Sequence, residues 1–534
     1  MKRMLLLAAA ILVAAPAYAQ VREADVTGGK VTGAVANGVA SFKGIPFAAP
    51  PTGELRWRAP QPVVPWAGVK DATKFAPACM QDEMFAAIFG APKGTSEDCL
   101  HLNVWTPAKS ASDRLPVMVW IYGGGFVIGQ TSVPAYDGTR LAEKGVVLVS
   151  VSYRVGAFGF LAHPELSKES GKGSGNFGLQ DQIAGLKWVK DNIAKFGGNP
   201  NRVTVFGESA GGISVSMLAA SPAAKGLFQQ AISESGGSFG GPKTGNEGGV
   251  NVPPLKIAEA TGQKFLAKLG VASIAEARKL TPEKIMAAQG PGMGAADGFW
   301  PVFDGDVLPG DQYELYLQKK FNDTPVLIGT NSDEGALFNQ GGVTSAQFEQ
   351  LVRTSTGAHA AAILAAYPHA TDAEAFTSTK NFFREATFAW HTWAWAMLQS
   401  EKGKGRAFVY YFDHRTPQSP AGSNHGSEIA YVFQTLGQPG ASFGPPAPVR
   451  PEDTKMSDLM STYWTNFAKT GDPNGPGLPA WPAFSAKDQR VMYFDPAPSA
   501  RPVPNIDQIK AFDAYYAWLR EQAKKREPKK QPGA

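Results

Sequence analysis

The sequence predicts an α/β fold with a large, mostly parallel central sheet and helices on both of its faces, and three observations support this prediction. The 534 residues are 43% hydrophobic and 11% aromatic but only 18% charged, which indicates a large buried core and excludes a disordered chain. Short apolar runs alternate with a helical pattern along the chain. No heptad, Gly-X-Y period or repeat of 20–50 residues is present, which excludes coiled coils, collagen and solenoids.

Six short apolar runs, each bounded by turn residues, predict the strands of this sheet. Their hydrophobicity is continuous rather than alternating, which is typical of central strands that are covered on both faces in a parallel sheet. The predicted strands are Leu115–Tyr122, Gly145–Tyr153, Arg202–Phe206, Gln229–Ser233, Thr324–Thr330 and Arg406–Phe412.

A helix is predicted over Phe177–Phe196, between the second and third of these strands, because apolar residues recur there at helical spacing. Gly197-Gly198 ends the pattern and Pro200 follows it. This strand–helix–strand order predicts a parallel crossover. No convincing linker interrupts the chain, so we expect residues 20–523 to form a single domain.

The first 19 residues have the pattern of a secretory signal peptide. Lys2-Arg3 precedes the apolar run Met4–Ala15, and Ala17-Tyr18-Ala19 forms a small-x-small cleavage site. The run is too short to span about 30 Å of hydrocarbon as a helix. We therefore expect an exported protein, periplasmic or secreted, without a membrane span and in a compartment that permits disulfides.

The formal net charge of +5 is concentrated at the two ends of the chain. Without the leader and the last eleven residues, the net charge is −1, so a nucleic-acid partner is not expected. The segment 524–534 is rich in lysine and proline, and it is predicted to be a disordered basic tail.

We expect the protein to be a monomer.

The pattern G-x-S-x-G, typical of a nucleophile elbow, occurs around Ser209, Ser238 and Ser442. An elbow requires a strand that enters a tight turn and a helix that begins immediately after the serine, with flanking glycines because a Cβ there would collide with backbone. Only Ser209 follows a predicted strand and precedes a predicted helix, Ala210–Ala220. Ser238 and Ser442 are interpreted as serines of flexible, glycine-rich loops.

A reactive serine also needs donors for the oxyanion that forms on its substrate, and fixed backbone N–H groups serve this purpose well. Gly123-Gly124-Gly125 follows the strand that ends at Tyr122, and its glycines expose the backbone at a strand end. This is the arrangement expected of a loop beside a nucleophile elbow, with the N–H of the residue after the serine, Ala210, as a further donor.

Several longer motifs follow one another along the chain: Phe42–Pro51 with Leu55-Arg56-Trp57, Ser96–Trp105, Gly175–Asp181, Phe206–Gly212, Gly329–Gly335 and His425–Phe433. In these motifs and their order, the chain resembles the type-B carboxylesterases, which include cholinesterases and bacterial para-nitrobenzyl-type esterases. The resemblance covers nearly all of residues 28–520 and implies a single large α/β-hydrolase domain with a deep gorge leading to the serine.

The resemblance supplies the remaining members of a catalytic triad. It implies His425 as the base, with His414 as the nearest rival, which we interpret as a surface or strand-end residue. It implies Glu334 as the acid rather than its neighbour Asp333. The resemblance further implies supporting roles for two residues near the serine and the acid, Glu208 and Ser235.

The resemblance also implies a disulfide between Cys79 and Cys99 and buried ion pairs Arg56–Glu97 and Arg154–Asp181. Composition agrees on the disulfide, because these are the only two cysteines of a chain expected to be exported. No zinc-protease motif, Walker loop or dinucleotide fingerprint is present, so we expect neither a metal nor an organic cofactor.

The resulting prediction is a serine hydrolase that cleaves small carboxylic esters through an acyl-enzyme intermediate. The same triad could act on an amide, carbamate, lactone or thioester, and a non-catalytic relative is the remaining alternative. Activity is expected to fall below about pH 6–7, because the base must be neutral. Candidates for an aromatic gorge wall are Phe126, Phe299, Trp300, Phe382, Phe383, Phe388 and Trp390.

Overall fold

The computed structural model describes residues 20–243, 251–292, 298–339, 341–441 and 448–526. The predicted signal peptide, residues 1–19, lies outside this range, as do Ser442 and residues 527–534 of the predicted tail.

Sixteen strands lie within the described residues. They are β1 Glu23–Val26, β2 Gly29–Thr32, β3 Ala34–Ala36, β4 Val39–Pro46, β5 Val69–Asp71, β6 Ala78–Cys79, β7 Thr95–Ser96, β8 His101–Thr106, β9 Leu115–Ile121, β10 Val147–Val151, β11 Gly198–Glu208, β12 Gln230–Glu234, β13 Val326–Asn331, β14 Ala407–Phe412, β15 Arg490–Phe494 and β16 Ser499–Pro502.

Seventeen α-helices lie within the same ranges, together with short 3₁₀ segments and one π-helical segment, Glu385–Ala389. The α-helices are α1 Glu83–Ala87, α2 Thr139–Glu143, α3 Gly156–Phe160, α4 Pro164–Ser170, α5 Phe177–Asn192, α6 Ala210–Ala220, α7 Leu255–Leu269, α8 Ile274–Ala277, α9 Pro282–Gln289, α10 Gln312–Leu317, α11 Ser345–Thr356, α12 Ala360–Ala365, α13 Asp372–Arg384, α14 Trp390–Lys402, α15 Ile429–Phe433, α16 Pro451–Thr470 and α17 Ile506–Arg526.

Eleven of the described strands form one sheet in the order β16-β15-β14-β13-β12-β11-β9-β10-β8-β4-β3. The strands from β10 to β15 pair in parallel, whereas β8, β4 and β3 at one edge and β16 at the other pair in antiparallel fashion. All five residues of β10 and all but the first of β9 are buried, so both faces of the sheet are covered. The predicted α/β fold with a mostly parallel sheet is confirmed.

Each of the six predicted strands is present, and together they form the consecutive central strands β10, β9, β11, β12, β13 and β14. The predicted helix ends slightly early, because α5 stops at Asn192 and Ile193–Phe196 tightens into a 3₁₀ turn. Gly197 follows with φ of +77°, a left-handed conformation that favours glycine. The carboxyl ends of these parallel strands meet at one edge of the sheet, where the predicted site residues lie.

The disulfide and both ion pairs implied by the family resemblance are present in the structure. Cys79 and Cys99 are joined in a disulfide and are both 1% exposed. Arg154 binds both carboxylate oxygens of Asp181 at 2.8 Å. Arg56 likewise binds both oxygens of Glu97 at 2.6 Å.

The predicted start of the disordered tail at Lys524 is wrong, because α17 continues through Arg526. Lys524 donates to Glu314 at 2.7 Å, so an ion pair to α10 holds this part of the helix against the body of the protein. Among the helices that the structure describes, none combines the length and the apolar character needed to cross a bilayer.

Candidate active site

Ser209 lies in a tight turn between the end of β11 and the start of α6. Its φ is +56°, a left-handed conformation that is uncommon for a residue with a side chain and typical of a strained functional turn. A Cβ on Gly207 would lie 2.5 Å from the carbonyl oxygen of Ile121, and one on Gly211 would lie 2.0 Å from the same atom. The two glycines are therefore required for helix α6 to approach β9 so closely.

His425 joins Ser209 to Glu334 through two short contacts. Its Nε2 lies 2.9 Å from the Ser209 Oγ, and its Nδ1 lies 2.6 Å from Glu334 Oε2. The other oxygen of Glu334 accepts hydrogen bonds from the Ser235 hydroxyl at 2.6 Å and from the backbone N–H of Asn331 at 2.7 Å. The structure thus brings the three predicted triad residues and Ser235 into one hydrogen-bonded chain.

The two rival residues lie in other interactions. His414 is buried rather than exposed, so its interpretation as a surface residue is wrong. Its Nε2 lies 2.7 Å from a carboxylate oxygen of Asp453 on α16, and this contact holds the side chain inside the protein. Asp333 accepts from Lys380 of α13 at 2.8 Å. Neither residue contacts Ser209 in the structure.

Ser238 is 3% exposed and lies in the segment after β12, with no helix behind it. Its neighbour Phe239 donates its backbone N–H to His391, which fixes this segment inside the protein. The absence of an elbow around Ser238 agrees with the sequence interpretation, but its description as a flexible-loop residue is wrong, because close packing buries the segment.

The glycine loop after β9 lies beside the serine. A Cβ on Gly123 would lie 3.0 Å from the Cβ of Ser209, and the φ angles of Gly124 and Gly125 are +107° and +61°. Among the described residues, the backbone N–H groups of Gly124, Gly125 and Ala210 have no protein acceptor. Such unsatisfied donors at the rim of a cavity are available to an anionic oxygen.

Three further buried carboxylates surround the triad. Burial and the nearby carboxylates raise the pKa of Glu208 to about 8, although His425 opposes this shift. Burial followed by the charge of Glu334 raises the pKa of Glu428 to about 7. Burial and Glu428 also raise the pKa of Glu234, which accepts from the Trp464 indole at 2.7 Å.

The sequence analysis did not single out Glu234 and Glu428. Their positions carried a signal: Glu234 ends the strand adjacent to β11, and Glu428 follows His425 by only three residues, in the turn that precedes α15.

The imidazole of His425 lies between Glu208 and Glu334. Glu208 Oε1 is 3.3 Å from its Nε2, opposite the Glu334 contact at Nδ1. Burial disfavours the charged imidazolium, but Glu208 and Glu334 outweigh this effect and raise the pKa of His425. If His425 is the base, we therefore expect the acid limit of activity above the pH 6–7 of an ordinary histidine.

A cavity of about 770 Å³ opens onto Ser209, His425 and the glycine loop. Of the predicted aromatic wall residues, Trp300, Phe382, Phe383 and Phe388 line it. Phe126, Phe299 and Trp390 instead pack against Trp300, Phe265 and Tyr516, respectively. Among the described residues that line the cavity, Glu208 is the only carboxylate and none is lysine or arginine.

Comparison with known proteins places this site in a family context. A family model described as the carboxylesterase family matches residues 17–511. The chain is 39% identical over 470 residues to a fumonisin B1 esterase of Sphingopyxis macrogoltabida, covering 85% of this chain and 83% of that protein. It is 35% identical over 486 residues to the para-nitrobenzyl esterase of Bacillus subtilis strain 168, covering 88% and 93% of the two chains.

Solved structures give the same result. A thermophilic para-nitrobenzyl esterase superposes with a TM-score of 0.80 at 33% sequence identity, over 92% of this chain and 100% of that one. The Geobacillus stearothermophilus carboxylesterase EST55 superposes with a TM-score of 0.78 at 32% identity, over 92% and 99%.

Proposed function

The chain belongs to the carboxylesterase family and is a carboxylic ester hydrolase, and we propose that Ser209, His425 and Glu334 form the catalytic triad of this hydrolysis. The observation that carries the proposal is the continuous chain of contacts from the Ser209 hydroxyl through His425 to Glu334. Its two links, at 2.9 and 2.6 Å, are of the length expected between a nucleophile and its base and between that base and an acid, which supports this assignment.

Acylation begins when His425 Nε2 removes the proton of Ser209 while the Oγ attacks the ester carbonyl carbon. Glu334 holds the tautomer that carries its proton on Nδ1 and stabilises the imidazolium that forms. The N–H groups of Gly124, Gly125 and Ala210 bind the oxyanion of the tetrahedral intermediate. The imidazolium then protonates the alcohol oxygen as the C–O bond breaks.

Deacylation follows the same path in reverse. His425 removes a proton from water, whose oxygen attacks the acyl carbon, and the proton returns to the Ser209 Oγ as the acid leaves. Ser235 and the Asn331 N–H support this cycle indirectly, because their hydrogen bonds to Glu334 fix the orientation of its carboxylate.

We propose a neutral, largely apolar ester as the substrate. The relatives are named after chemically different esters, so likeness to them does not select one. The cavity wall does carry a preference: most of its side chains are apolar, with phenylalanine the commonest, and the described lining residues include no lysine or arginine to bind an acidic group.

One experiment tests the assignment of Ser209. The purified protein is treated with a small fluorophosphonate, digested and analysed by mass spectrometry, with the Ser209→Ala variant as the matched control. We expect one adduct, on Ser209, together with loss of 4-nitrophenyl butyrate hydrolysis. An adduct on Ser238, or full activity of the alanine variant, would refute the assignment.

A parallel series of 4-nitrophenyl esters and 4-nitroanilides, from acetyl to octanoyl, tests the bond that is cleaved. We expect turnover of the esters and turnover of the anilides that is slower by at least about 100-fold, because an amine is a much poorer leaving group. Equal rates on the two series would contradict a preference for esters.

We further propose that the protein is exported and that cleavage occurs near Ala19. The leader pattern of residues 1–19 supports this, as does the buried disulfide Cys79–Cys99, since such bonds persist mainly in oxidising compartments. Amino-terminal sequencing of the mature protein should begin near Gln20. The expected monomer stays a prediction, for which light scattering after size-exclusion chromatography is the test.

A further inference from the structure

Helices α13 and α14 form one continuous helical rod that is interrupted by the π-helical segment Glu385–Ala389. Within it, the N–H of Trp390 donates to the carbonyl of Glu385, five residues earlier rather than the usual four. A π turn costs hydrogen-bond quality and shifts the register of the side chains, and such turns are frequent at functional sites. The question is which side chain this turn places.

Two side chains hold the π turn in place, one from the distant helix α17 and one from the first turn of α14. The carbonyl of Ala386 accepts from the Tyr516 hydroxyl at 2.8 Å and from His391 Nε2 at 3.1 Å. His391 donates from Nε2 because its Nδ1 already accepts the backbone N–H of Phe239 at 2.9 Å. The turn is thus held by specific partners and does not depend on its own weak backbone bonds.

The π turn is also tied to the loop that carries the catalytic acid. Arg384 binds Glu385 at 2.6 Å, both side chains being buried, and its guanidinium donates to the carbonyl of Ser332. Ser332 lies two residues before Glu334. A displacement of the turn would therefore be transmitted to the segment that holds the acid.

Phe388 projects from this turn onto the face of the His425 imidazole. The two ring centroids are 4.7 Å apart and the planes differ by 16°, and the phenyl ring is buried. Phe338 contacts the same imidazole at 5.5 Å with a tilt of 56°. Both hydrogen bonds of His425 lie in the plane of its imidazole ring, so they do little to stop the ring from tilting out of that plane. A flat phenyl ring packed on the face of the imidazole opposes this tilting directly.

From this geometry we propose that Phe388 is a positioning residue for the base and that the π turn exists to lay its ring on His425. The inference rests on the proposed triad. During the cycle Nε2 must exchange its partner from Ser209 to the leaving alcohol and then to water, and a ring held from above keeps the same plane through these steps.

The test compares three variants: Phe388→Leu, Phe388→Tyr and Phe383→Leu. Phe383 is the control, because it lies on the same helical rod and lines the same cavity but makes no ring contact with the imidazole. It stacks on Phe338 and meets the edge of Phe388 at 6.1 Å. With 4-nitrophenyl acetate, a substrate too small to fill the cavity, we expect kcat of Phe388→Leu to fall about 2- to 13-fold, the range that one aromatic pair supports, with KM nearly constant.

Phe388→Tyr keeps a flat ring and should restore kcat to within about 2-fold of the parent. A second readout needs no turnover. The proton between His425 Nδ1 and Glu334 should give a sharp, strongly downfield NMR resonance in the parent and in Phe383→Leu. It should broaden in Phe388→Leu, because a tilting imidazole exposes this proton to exchange with water.

Two results would overturn the proposal. One is that Phe388→Leu changes neither the resonance nor kcat on 4-nitrophenyl acetate and alters only the preference for acyl length. Phe388 would then only line the cavity. The other is an equal loss in Phe383→Leu. Failure of the parent to hydrolyse any ester would instead count against the proposed function, since the NMR comparison is read without a substrate.

Discussion

Removal of the Cys79–Cys99 disulfide should lower stability by a modest and calculable amount. The bond closes a loop with a sequence separation of 20 residues. In the chain-entropy model, a loop of that length stabilises the folded state by about 3 kcal/mol. An unfolding entropy of roughly 2.1 cal/mol/K per residue over the described chain converts this loss into a fall in Tm of about 3 °C.

The same loop carries part of the cavity wall, so substrate preference should change as well. Phe85, Ile88 and Phe89 lie between the two cysteines and line the cavity. Gln81 exchanges two hydrogen bonds with Gly129, of 2.8 and 2.9 Å, and should hold the first part of the loop in place. We therefore expect a larger rise in KM for 4-nitrophenyl octanoate than for the acetate.

The assay compares the parent with Cys79→Ala and with Cys79→Ala/Cys99→Ala by scanning calorimetry and by ester kinetics. Both variants lack the bond, so the difference between them reports the packing of the second sulfur alone. A Tm unchanged within about 1 °C would refute the entropic reasoning. A fall beyond about 10 °C would show that the bond holds native structure that the loop calculation omits.

Three further predictions concern the carboxylates of the site. Ser235→Ala removes the hydroxyl that donates to Glu334 at 2.6 Å. Because a hydrogen bond to a charged group is worth at least about 1.5 kcal/mol, kcat/KM for 4-nitrophenyl butyrate should fall about tenfold. An unchanged value would contradict the supporting role of Ser235. Glu208→Gln removes a carboxylate that raises the pKa of His425 when it is ionised, so the acid limb of the profile of kcat/KM against pH should move to lower pH. An upward shift would count against this reasoning. The pKa of Glu428 is raised from 4.5 to about 7, so its protonated form contributes about 3 kcal/mol of stability that is complete below pH 4.5 and is lost as the pH rises from there to about 7. Urea unfolding at pH 5 and pH 8 should show most of this fall in the parent and a smaller one in Glu428→Gln.

The nucleophile could be chosen from the sequence because its requirements are local. A strand, a glycine-flanked turn and a helix lie within about 20 residues of Ser209, and all three are visible as patterns. The base and the acid could not be chosen from spacing, since they lie 216 and 125 residues away along the chain. Family resemblance alone preferred His425 to His414 and Glu334 to Asp333.

The tertiary structure supplies the physical reason for those preferences. His414 contacts Asp453 and Asp333 contacts Lys380, so both side chains already have buried or partly buried polar partners away from Ser209. Parallel strands, by contrast, bring their carboxyl ends to one edge of the sheet, and the loops after β11, β13 and β14 place Ser209, Glu334 and His425 together there.

The fold class, the central strands and the elbow were determined by the sequence alone, because hydrophobic periodicity and turn chemistry act over a few neighbouring residues. Only the tertiary structure decided the electrostatics of the site. Burial and the charge of Glu428 raise the pKa values of Glu208 and Glu234, and Glu208 and Glu334 raise that of the base against the effect of burial, through contacts between distant segments. The π turn that carries Phe388 is likewise invisible in the sequence, because the Tyr516 hydroxyl that holds its Ala386 carbonyl lies on the distant helix α17.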